Sequence, residues 1–265
     1  MLGRLFGPRK PLVTVVRLSG AIMPDGRGRS FDDAAVAPML EKAFTARGVK
    51  AVALSINCPG GSPVQSALIG ARIRRLAAEH EVRVYAFCGD VAASGGFWLA
   101  CAADEIYADA ASIVGSIGVI AQSFGAHEAI AKLGIERRVH TAGGSKSFWD
   151  PFRPEQAEDV ERLKTLQSRI HGQFIDWVKE RRGAKLTDGT ELFDGSFWVG
   201  EDALPLGLID GLGHLVPVMK ERFGNKTKFK VLARRRGLFE RLGGPGIDTL
   251  ADEISSRGLF ARYGL

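Results

Sequence analysis

Along the first 120 residues, short β-branched runs alternate with amphipathic segments, and glycine marks the turns between them. This alternation predicts parallel βαβ units with right-handed crossovers, which is an α/β fold. In such sheets, ligands bind beyond the carboxyl ends of the strands. The predicted strands are residues 12–18, 51–57 and 82–87, with shorter ones in EIYAD and SIGVIA, and Gly89 is expected to end the third. The predicted helices lie near residues 32–47, 62–80 and 97–101.

The second half of the chain has a different pattern. Apolar residues recur every three or four positions from Val160 to Val178, which predicts one long amphipathic helix ending near Gly183. A chain of 265 residues can form one large α/β domain or two small ones. We predict a basic N-terminal arm (1–11), a single domain (12–223) and a basic, partly amphipathic C-terminal extension (224–265).

Basic residues are concentrated near the end of the chain. The net charge is +6, yet residues 220–241 alone hold nine basic and two acidic residues. Such a cluster suits an anionic membrane surface or nucleic acid, and equally a solvated arm or a face between subunits. We favour peripheral contact with an anionic membrane, or docking on another subunit, and expect no nucleic-acid partner.

Hydropathy and cysteine use indicate the compartment. No apolar run approaches the roughly 20 residues that span a bilayer, and the apolar stretch near Met1 is too short for a secretory signal peptide. We therefore expect a cytoplasmic protein. The three cysteines, Cys58, Cys88 and Cys101, lie in or beside apolar segments without metal-ligand spacing. They are predicted to be reduced, packed thiols, and we expect no metal or cofactor.

The stretch DVAASGGFWLACAADEIYA places Ser94 between two alanines and two glycines, directly before an apolar helix. A serine hydroxyl is a poor nucleophile until a base removes its proton. None of the five histidines has a signature around it, although folding could bring one close. Lysine is the alternative base, because burial among apolar groups favours its neutral amine. Lys146 follows a Gly-Gly turn and precedes Phe148 and Trp149, so it is a candidate, although loop lysines are usually solvated.

Acyl transfer also needs hydrogen-bond donors for the developing oxyanion. Backbone N–H groups at glycine turns suit this role, because glycine permits a close approach of another chain. The turns at Gly60-Gly61 and Ser94-Gly95 both qualify. The same glycines could instead serve only the tight turns between strands and helices.

Four motifs together resemble the signal peptide peptidase (SppA-like) family of serine proteases. They are NCPGGSP, DVAASGGFWLACAADEIYADAASIVGSIGVIA, SKSFWDPFRP and WVGEDALPLGLIDGLG, and they follow the family's order and approximate spacing over residues 12–220. The resemblance implies a Clp-protease/crotonase-like spiral of βαβ units. It also implies a Ser-Lys dyad that hydrolyses peptides, such as signal-peptide remnants or unfolded segments, through an acyl-enzyme.

The resemblance assigns a role to each matched position. Ser94 matches the nucleophile and Lys146 the general base. Ser116, in GSIGV, matches a serine that orients the lysine, while the amides of Gly61 and Gly95 match the oxyanion hole. In this family a neighbouring subunit commonly supplies the base, so a homo-oligomer with a shared active site is expected.

Several features depart from the family pattern. Asn57-Cys58 replaces the usual Asp or small residue followed by serine before Pro-Gly-Gly, and Val114 stands where threonine is common. The family's N-terminal membrane anchor has no counterpart in this sequence, so we expect a short form whose substrate is open. Two alternatives remain: a crotonase-type acyl-CoA enzyme, which would use a carboxylate base, and a noncatalytic scaffold.

Overall fold

The computed structural model describes residues 10–24, 30–188, 191–233 and 256–265. These residues form two compact units. The first combines residues up to Gly118 with those from Phe174 onward, and the second is Val119–Gln173. Residues 1–9 of the predicted N-terminal arm and residues 234–241 of the basic cluster lie outside the described residues.

An eight-stranded sheet forms the centre of the first unit. Its strands are β1 (Leu12–Ser19), β2 (Val49–Cys58), β3 (Arg83–Ala93), β4 (Glu105–Ala108), β5 (Ile113–Gly115), β6 (Phe197–Val199), β7 (Gly211–Leu212) and β8 (Lys228–Leu232). They lie in the order β6-β5-β3-β2-β1-β8, with β4 pairing β3 and β7. Every pairing is parallel except β5 with β6. The predicted α/β class is confirmed.

Helices connect the strands, and the sequence predicts the first three and the longest of them. They are α1 (Asp33–Phe44), α2 (Pro63–His80), α3 (Gly95–Cys101), α4 (His127–Lys132), α5 (Ala157–Arg182), α6 (Gly200–Ala203) and α7 (Leu215–Phe223). Asp32 caps α1 by accepting from the N–H of Ala35, and Ser62 caps α2 by accepting from that of Gln65. The long amphipathic helix is therefore confirmed as α5. None of the described helices is both long and apolar enough to cross a membrane.

Both faces of the sheet are buried, as parallel sheets require. On β1, Val16 and Leu18 belong to the larger apolar cluster, whereas Val13 and Val15 belong to a second one. The larger cluster includes Trp98 of α3, which stacks on Phe174 of α5 with ring centroids 4.7 Å apart. These contacts fix α3, and with it the turn that carries Ser94.

Two predictions of local structure are wrong. Gly89 does not end the third strand, because β3 continues to Ala93 through an irregular register in which Ile56 pairs with Cys88 but Cys58 pairs with Ala92. The segment SIGVIA is not a strand: β5 occupies the residues just before it. A positive φ at Ser116 ends the extended conformation there.

The second unit is made of α4, the first part of α5 and connecting loops. Arg137 and the carboxylate of Asp150 form an ion pair over 2.6 Å, and the backbone N–H of Trp149 donates to Asp159 over 3.1 Å. No hydrophobic residue between Val119 and Gln173 belongs to the buried core.

Candidate active site

Ser94 occupies the turn between β3 and α3. Its backbone has φ 52° and ψ −122°, a region that costs a non-glycine residue about 1–3 kcal/mol. Its N–H donates to the carbonyl of Gly115 over 2.8 Å, and its own carbonyl accepts from the N–H of Trp98 over 3.0 Å. The residue is partly exposed, and its hydroxyl caps no helix N–H. The turn therefore presents the hydroxyl at the carboxyl edge of the sheet.

The Gly60-Gly61 turn lies directly against this serine. A Cβ placed on Gly60 would come within 2.8 Å of the Ser94 Cβ and 2.9 Å of the Gly95 nitrogen. Both glycines have positive φ, 110° and 140°. The two glycine turns at this edge of the sheet are thus in contact, and no larger residue fits at position 60.

The two glycines after Ser94 are also required, because a side chain at either position would clash with its neighbours. A Cβ on Gly95 would approach the Ser66 Oγ to 2.5 Å, and one on Gly96 would approach the Cys58 carbonyl oxygen to 2.2 Å. The Ser-Gly-Gly sequence therefore lets α3 start against α2 and the end of β2.

Two amide N–H groups at this turn are available to a ligand. Ile22 fixes the glycine loop by donating to the Gly60 carbonyl over 2.8 Å and accepting from the Ser62 N–H over 2.7 Å. Within the described ranges, the N–H groups of Gly61 and Gly95 have no hydrogen-bond acceptor. Such groups, placed beside a serine hydroxyl, are able to stabilise an oxyanion.

Ser116 lies at the end of the strand next to Ser94. It directly follows Gly115, which pairs with Ala93, and its φ is 52°. Its N–H donates to the carbonyl of Ser196 over 2.7 Å, and its hydroxyl lies 3.3 Å from that of Tyr263. The first unit therefore brings together four of the predicted site residues: Ser94, Gly61, Gly95 and Ser116.

Lys146, the fifth predicted site residue, belongs to the second unit. It lies in a short 3-10 turn (Gly144–Ser147), where its N–H donates to the Gly143 carbonyl over 3.2 Å. The residue is exposed, and its ammonium group forms no ion pair with any described residue. The aromatic shielding expected from Phe148 and Trp149 does not bury it within one chain.

Histidine is not engaged with the candidate nucleophile. In the described part of the chain, no histidine forms a hydrogen bond with Ser94. His214 instead lies 3.4 Å from a carboxylate oxygen of Asp109, on the exposed surface.

Comparison with the family motif identifies Asn57 only as a departure from the usual residue. In the structure, its side chain supports the strand that leads to Ser94. Its side-chain NH₂ donates to Asp90 over 2.7 Å, and its carbonyl oxygen accepts from the N–H of Val91 over 3.2 Å. These bonds hold the irregular part of β3 that leads into Ser94. Neither partner is adjacent in sequence, so only the register of β2 against β3 reveals this role.

The sequence profile of Peptidase family S49 matches residues 77–226, which is more than half of the chain. The match includes the Ser94 turn, Ser116 and Lys146. The chain belongs to this family of peptidases. Family membership agrees with the Clp-protease/crotonase-like fold expected from the sequence.

Individual relatives match unequal parts of their own lengths. The Na(+)/H(+) antiporter NhaA of Brucella melitensis is 50% identical over 283 residues, which cover 100% of this chain and 38% of that protein. The chloroplastic serine protease SPPA of Arabidopsis thaliana is 32% identical over 167 residues, 63% of this chain and 24% of that one. A solved mutant of the 1510-N membrane-bound stomatin-specific protease, in complex with a substrate peptide, matches this chain with a TM-score of 0.48 and 14% sequence identity. The match covers 92% of this chain and 99% of that one. The chain thus spans well under two thirds of these two sequence relatives.

Proposed function

We propose that this chain is a serine endopeptidase in which Ser94 is the nucleophile and Lys146 the general base. Its substrates are peptides, such as signal-peptide remnants or unfolded segments. The observation that carries the proposal is the Ser94 turn: a partly exposed serine with positive φ, beside two unengaged amide N–H groups, in a chain of a peptidase family.

The proposed reaction has two halves. The Ser94 Oγ attacks the scissile carbonyl carbon while the neutral amine of Lys146 takes the hydroxyl proton. The N–H groups of Gly61 and Gly95 stabilise the negative oxygen, and the C–N bond breaks as Lys146 returns the proton to the leaving amine. Water then attacks the acyl-serine ester with Lys146 again as base. The products are a carboxylic acid and the free Ser94 hydroxyl.

Assembly of several copies is part of this proposal. Lys146 is exposed in a single chain, and a lysine acts as a base at neutral pH only when its charged form is disfavoured, as burial does. The unit that carries it also exposes large apolar side chains, including Phe124 (91% exposed) and Leu133 (74%). We infer that these side chains contribute to an interaction surface. A second copy of the chain would cover them and surround Lys146.

Covalent labelling tests the nucleophile. The full-length protein is treated with a fluorophosphonate probe, and the adduct is located by mass spectrometry. We expect labelling at Ser94, and its loss together with peptide hydrolysis in Ser94→Ala and in Lys146→Arg, since arginine stays protonated. Ser123→Ala removes an exposed serine of the second unit and should retain labelling. A folded Ser94→Ala protein that still hydrolyses peptides would disprove the assignment.

A crotonase-type acyl-CoA enzyme is the second candidate, because it also uses two backbone amides to hold an oxyanion. It would need a carboxylate base rather than a covalent serine, so it predicts acyl-CoA turnover without a Ser94 adduct. A noncatalytic scaffold predicts neither reaction. The same labelling experiment therefore separates the three functions.

Light scattering tests assembly. Phe124→Asp should dissociate the oligomer and lower peptide hydrolysis, because a buried carboxylate opposes association. Val216→Asp changes an exposed residue of α7 in the first unit and serves as the matched control. A monomeric wild-type protein with full activity would contradict the need for assembly.

We also propose peripheral binding to anionic membranes through the basic cluster. Four of its lysines are described, and three of them, Lys226, Lys228 and Lys230, are exposed at or before the edge strand β8. Each basic residue near an anionic surface contributes about 1 kcal/mol. Replacing all three with alanine should weaken co-sedimentation with phosphatidylserine vesicles at low salt. Equal recovery of both proteins in the supernatant would leave only docking on a neighbouring subunit.

A further inference from the structure

The helix that follows Ser94 is too short to be stable by itself. α3 has seven residues, all of them buried, whereas isolated helices of fewer than about 12–15 residues are marginal in water. Its orientation therefore depends on contacts with other elements. Because Ser94 and the N–H of Gly95 lie at its start, those contacts also affect the candidate active site.

The four carbonyl groups in the last turn of α3 all accept hydrogen bonds. A helix does not supply donors for these groups itself, and an unpaired carbonyl is costly when it is buried. The carbonyls of Leu99 and Ala100 accept from the first two backbone N–H groups beyond the helix, over 3.1 and 3.0 Å. Those of Trp98 and Cys101 accept from side chains of a second helix.

Two side chains of α5 supply these bonds. The indole Nε1 of Trp177 donates to the Trp98 carbonyl over 3.0 Å. The Nε of Arg181 donates to the Cys101 carbonyl over 3.0 Å, and its Nη2 donates to the Ala103 carbonyl, just beyond α3, over 3.2 Å. Both side chains lie on the part of α5 that belongs to the first unit. Because the guanidinium group is planar and rigid, its two bonds fix direction as well as distance.

The charge of Arg181 is poorly compensated. Burial and the neighbouring charge of Arg74 lower the pKa of Arg181, so the surroundings disfavour its charged form. A carboxylate oxygen of Asp104 lies 3.7 Å from Arg181, but the same oxygen lies 2.9 Å from Arg74. The bonds to the Cys101 and Ala103 carbonyls are shorter than this ion pair, so they account for the position of the guanidinium group.

The last turn of α3 is connected to Ser94 through the helix itself. The Ser94 carbonyl accepts from the Trp98 N–H over 3.0 Å, and the carbonyl of the same Trp98 accepts from Trp177. Seven residues at about 1.5 Å each make α3 only about 10 Å long, so a tilt at its end displaces its start. The backbone of Ser94, with φ 52°, has a strained conformation that persists only where the surrounding structure holds it.

We propose that Arg181 and Trp177 are positioning residues for the Ser94 hydroxyl and the Gly95 N–H, and that they act by holding the last turn of α3. The proposal rests on the proposed peptidase function and adds two residues to it. Because these side chains act through α3 rather than on the substrate, their loss should lower kcat and leave KM nearly unchanged. A displacement of about 1 Å at the reacting groups is enough to slow a reaction about a hundredfold.

Two neighbouring arginines give a matched test. Arg181→Met removes two donors to α3 and its end, whereas Arg182→Met removes bonds to Gly207 and Asp210 instead. We expect fluorophosphonate labelling of Ser94 and kcat for peptide hydrolysis to fall about ten- to a hundredfold in Arg181→Met and less than about twofold in folded Arg182→Met. The melting temperature should fall more in Arg182→Met, because that side chain is the more deeply buried. Activity that simply follows stability across the two variants would overturn the proposal.

Conservative replacements separate the hydrogen bonds from packing. Trp177→Phe keeps an aromatic ring near Trp98 but removes the indole N–H, and should slow labelling of Ser94 about three- to tenfold. Arg181→Lys keeps the charge without the planar fork, so its labelling rate should lie between those of Arg181→Met and the wild type. If Arg181→Met fails to fold, these two variants carry the same test. Wild-type labelling rates in both of them would contradict the proposal.

Hydrogen exchange distinguishes this proposal from the peptidase proposal. In Arg181→Met, the amides of α3 should exchange at least about tenfold faster relative to those of β2, and Arg182→Met should not show this difference. A wild-type protein that forms no Ser94 adduct would refute the peptidase proposal alone. Unchanged exchange of α3 in Arg181→Met would refute the role of Arg181, whether or not Ser94 reacts.

Discussion

Ser94 and Ser116 occupy equivalent positions on two neighbouring parallel strands, each directly after one member of the Ala93–Gly115 pair. Both have φ 52°, and the Ser94 N–H donates to the Gly115 carbonyl over 2.8 Å. The register of β3 against β5 therefore sets the distance between the two hydroxyl groups. Changes that disturb the ends of these strands should affect activity before they affect folding.

The first prediction concerns Gly60→Ala. The new Cβ would lie 2.8 Å from the Ser94 Cβ, so the glycine turn must move and the Gly61 N–H with it. We expect peptide hydrolysis to fall at least about a hundredfold, the loss typical of removing one oxyanion donor. Gly48→Ala is the control: its φ is also positive, at 79°, but its Cβ would meet nothing within 4 Å. Gly48→Ala should lose a little thermal stability, because alanine disfavours a positive φ, and should keep its activity.

The second prediction concerns Asn57→Ala, which removes both bonds to the irregular part of β3. We expect the free energy of unfolding to fall by about 1–2 kcal/mol, as for a lost pair of partly exposed hydrogen bonds. Fluorophosphonate labelling of Ser94 should slow as well, because β3 leads directly into this proposed nucleophile. Asn225→Ala, at an exposed position, should change neither quantity. Normal labelling in Asn57→Ala would show that the β3 irregularity does not position Ser94.

Local patterns predicted β1 to β4, the caps of α1 and α2 and the glycine turns, because each depends on neighbouring residues. The continuation of β3 through Gly89 could not be predicted in this way. It depends on Asn57, whose side chain holds Asp90 and Val91 from another strand. The contact of Tyr263 with Ser116 spans 147 positions in the chain and leaves no periodic or motif signal. Lys146 was identified by resemblance, and its surroundings depend on the assembly proposed above.

The third prediction concerns the buried ion pair of Arg182 and Asp210, whose atoms lie 2.7 Å apart. Burial favours the neutral carboxyl, but hydrogen bonds from Arg182 and Lys185 outweigh it and lower the pKa of Asp210. Arg182→Met should cost about 3–5 kcal/mol of unfolding free energy at pH 7, because it leaves a buried charge without its main partner. Lys185→Met, where the lysine side chain is 48% exposed, should cost at most about 1 kcal/mol.

The contribution of the Arg182–Asp210 pair to stability should decrease as the pH falls. A lowered folded-state pKa means that the contribution of Asp210 is present above its unfolded value, near pH 4, and is lost as the pH falls through the folded value. Urea denaturation of the wild type and Arg182→Met should therefore differ less at pH 3 than at pH 7. An unchanged difference would show that the arginine acts through packing alone.

The last prediction concerns the three cysteines, which are all free and buried, as the sequence predicts. Burial raises the pKa of Cys58, Cys88 and Cys101 to about 12. Only the thiolate reacts with iodoacetamide, so the folded protein at pH 8 should be alkylated at least about a hundredfold more slowly than the urea-unfolded protein. Peptide hydrolysis should survive this treatment even though Cys58 lies beside the glycine turn. Because the folded state holds these protons more tightly, the thiols' contribution to stability is complete below the unfolded pKa, near 8.5, and declines as the pH rises toward 12. Rapid alkylation of Cys58 in the folded protein, with loss of activity, would instead show that the end of β2 opens at the active site.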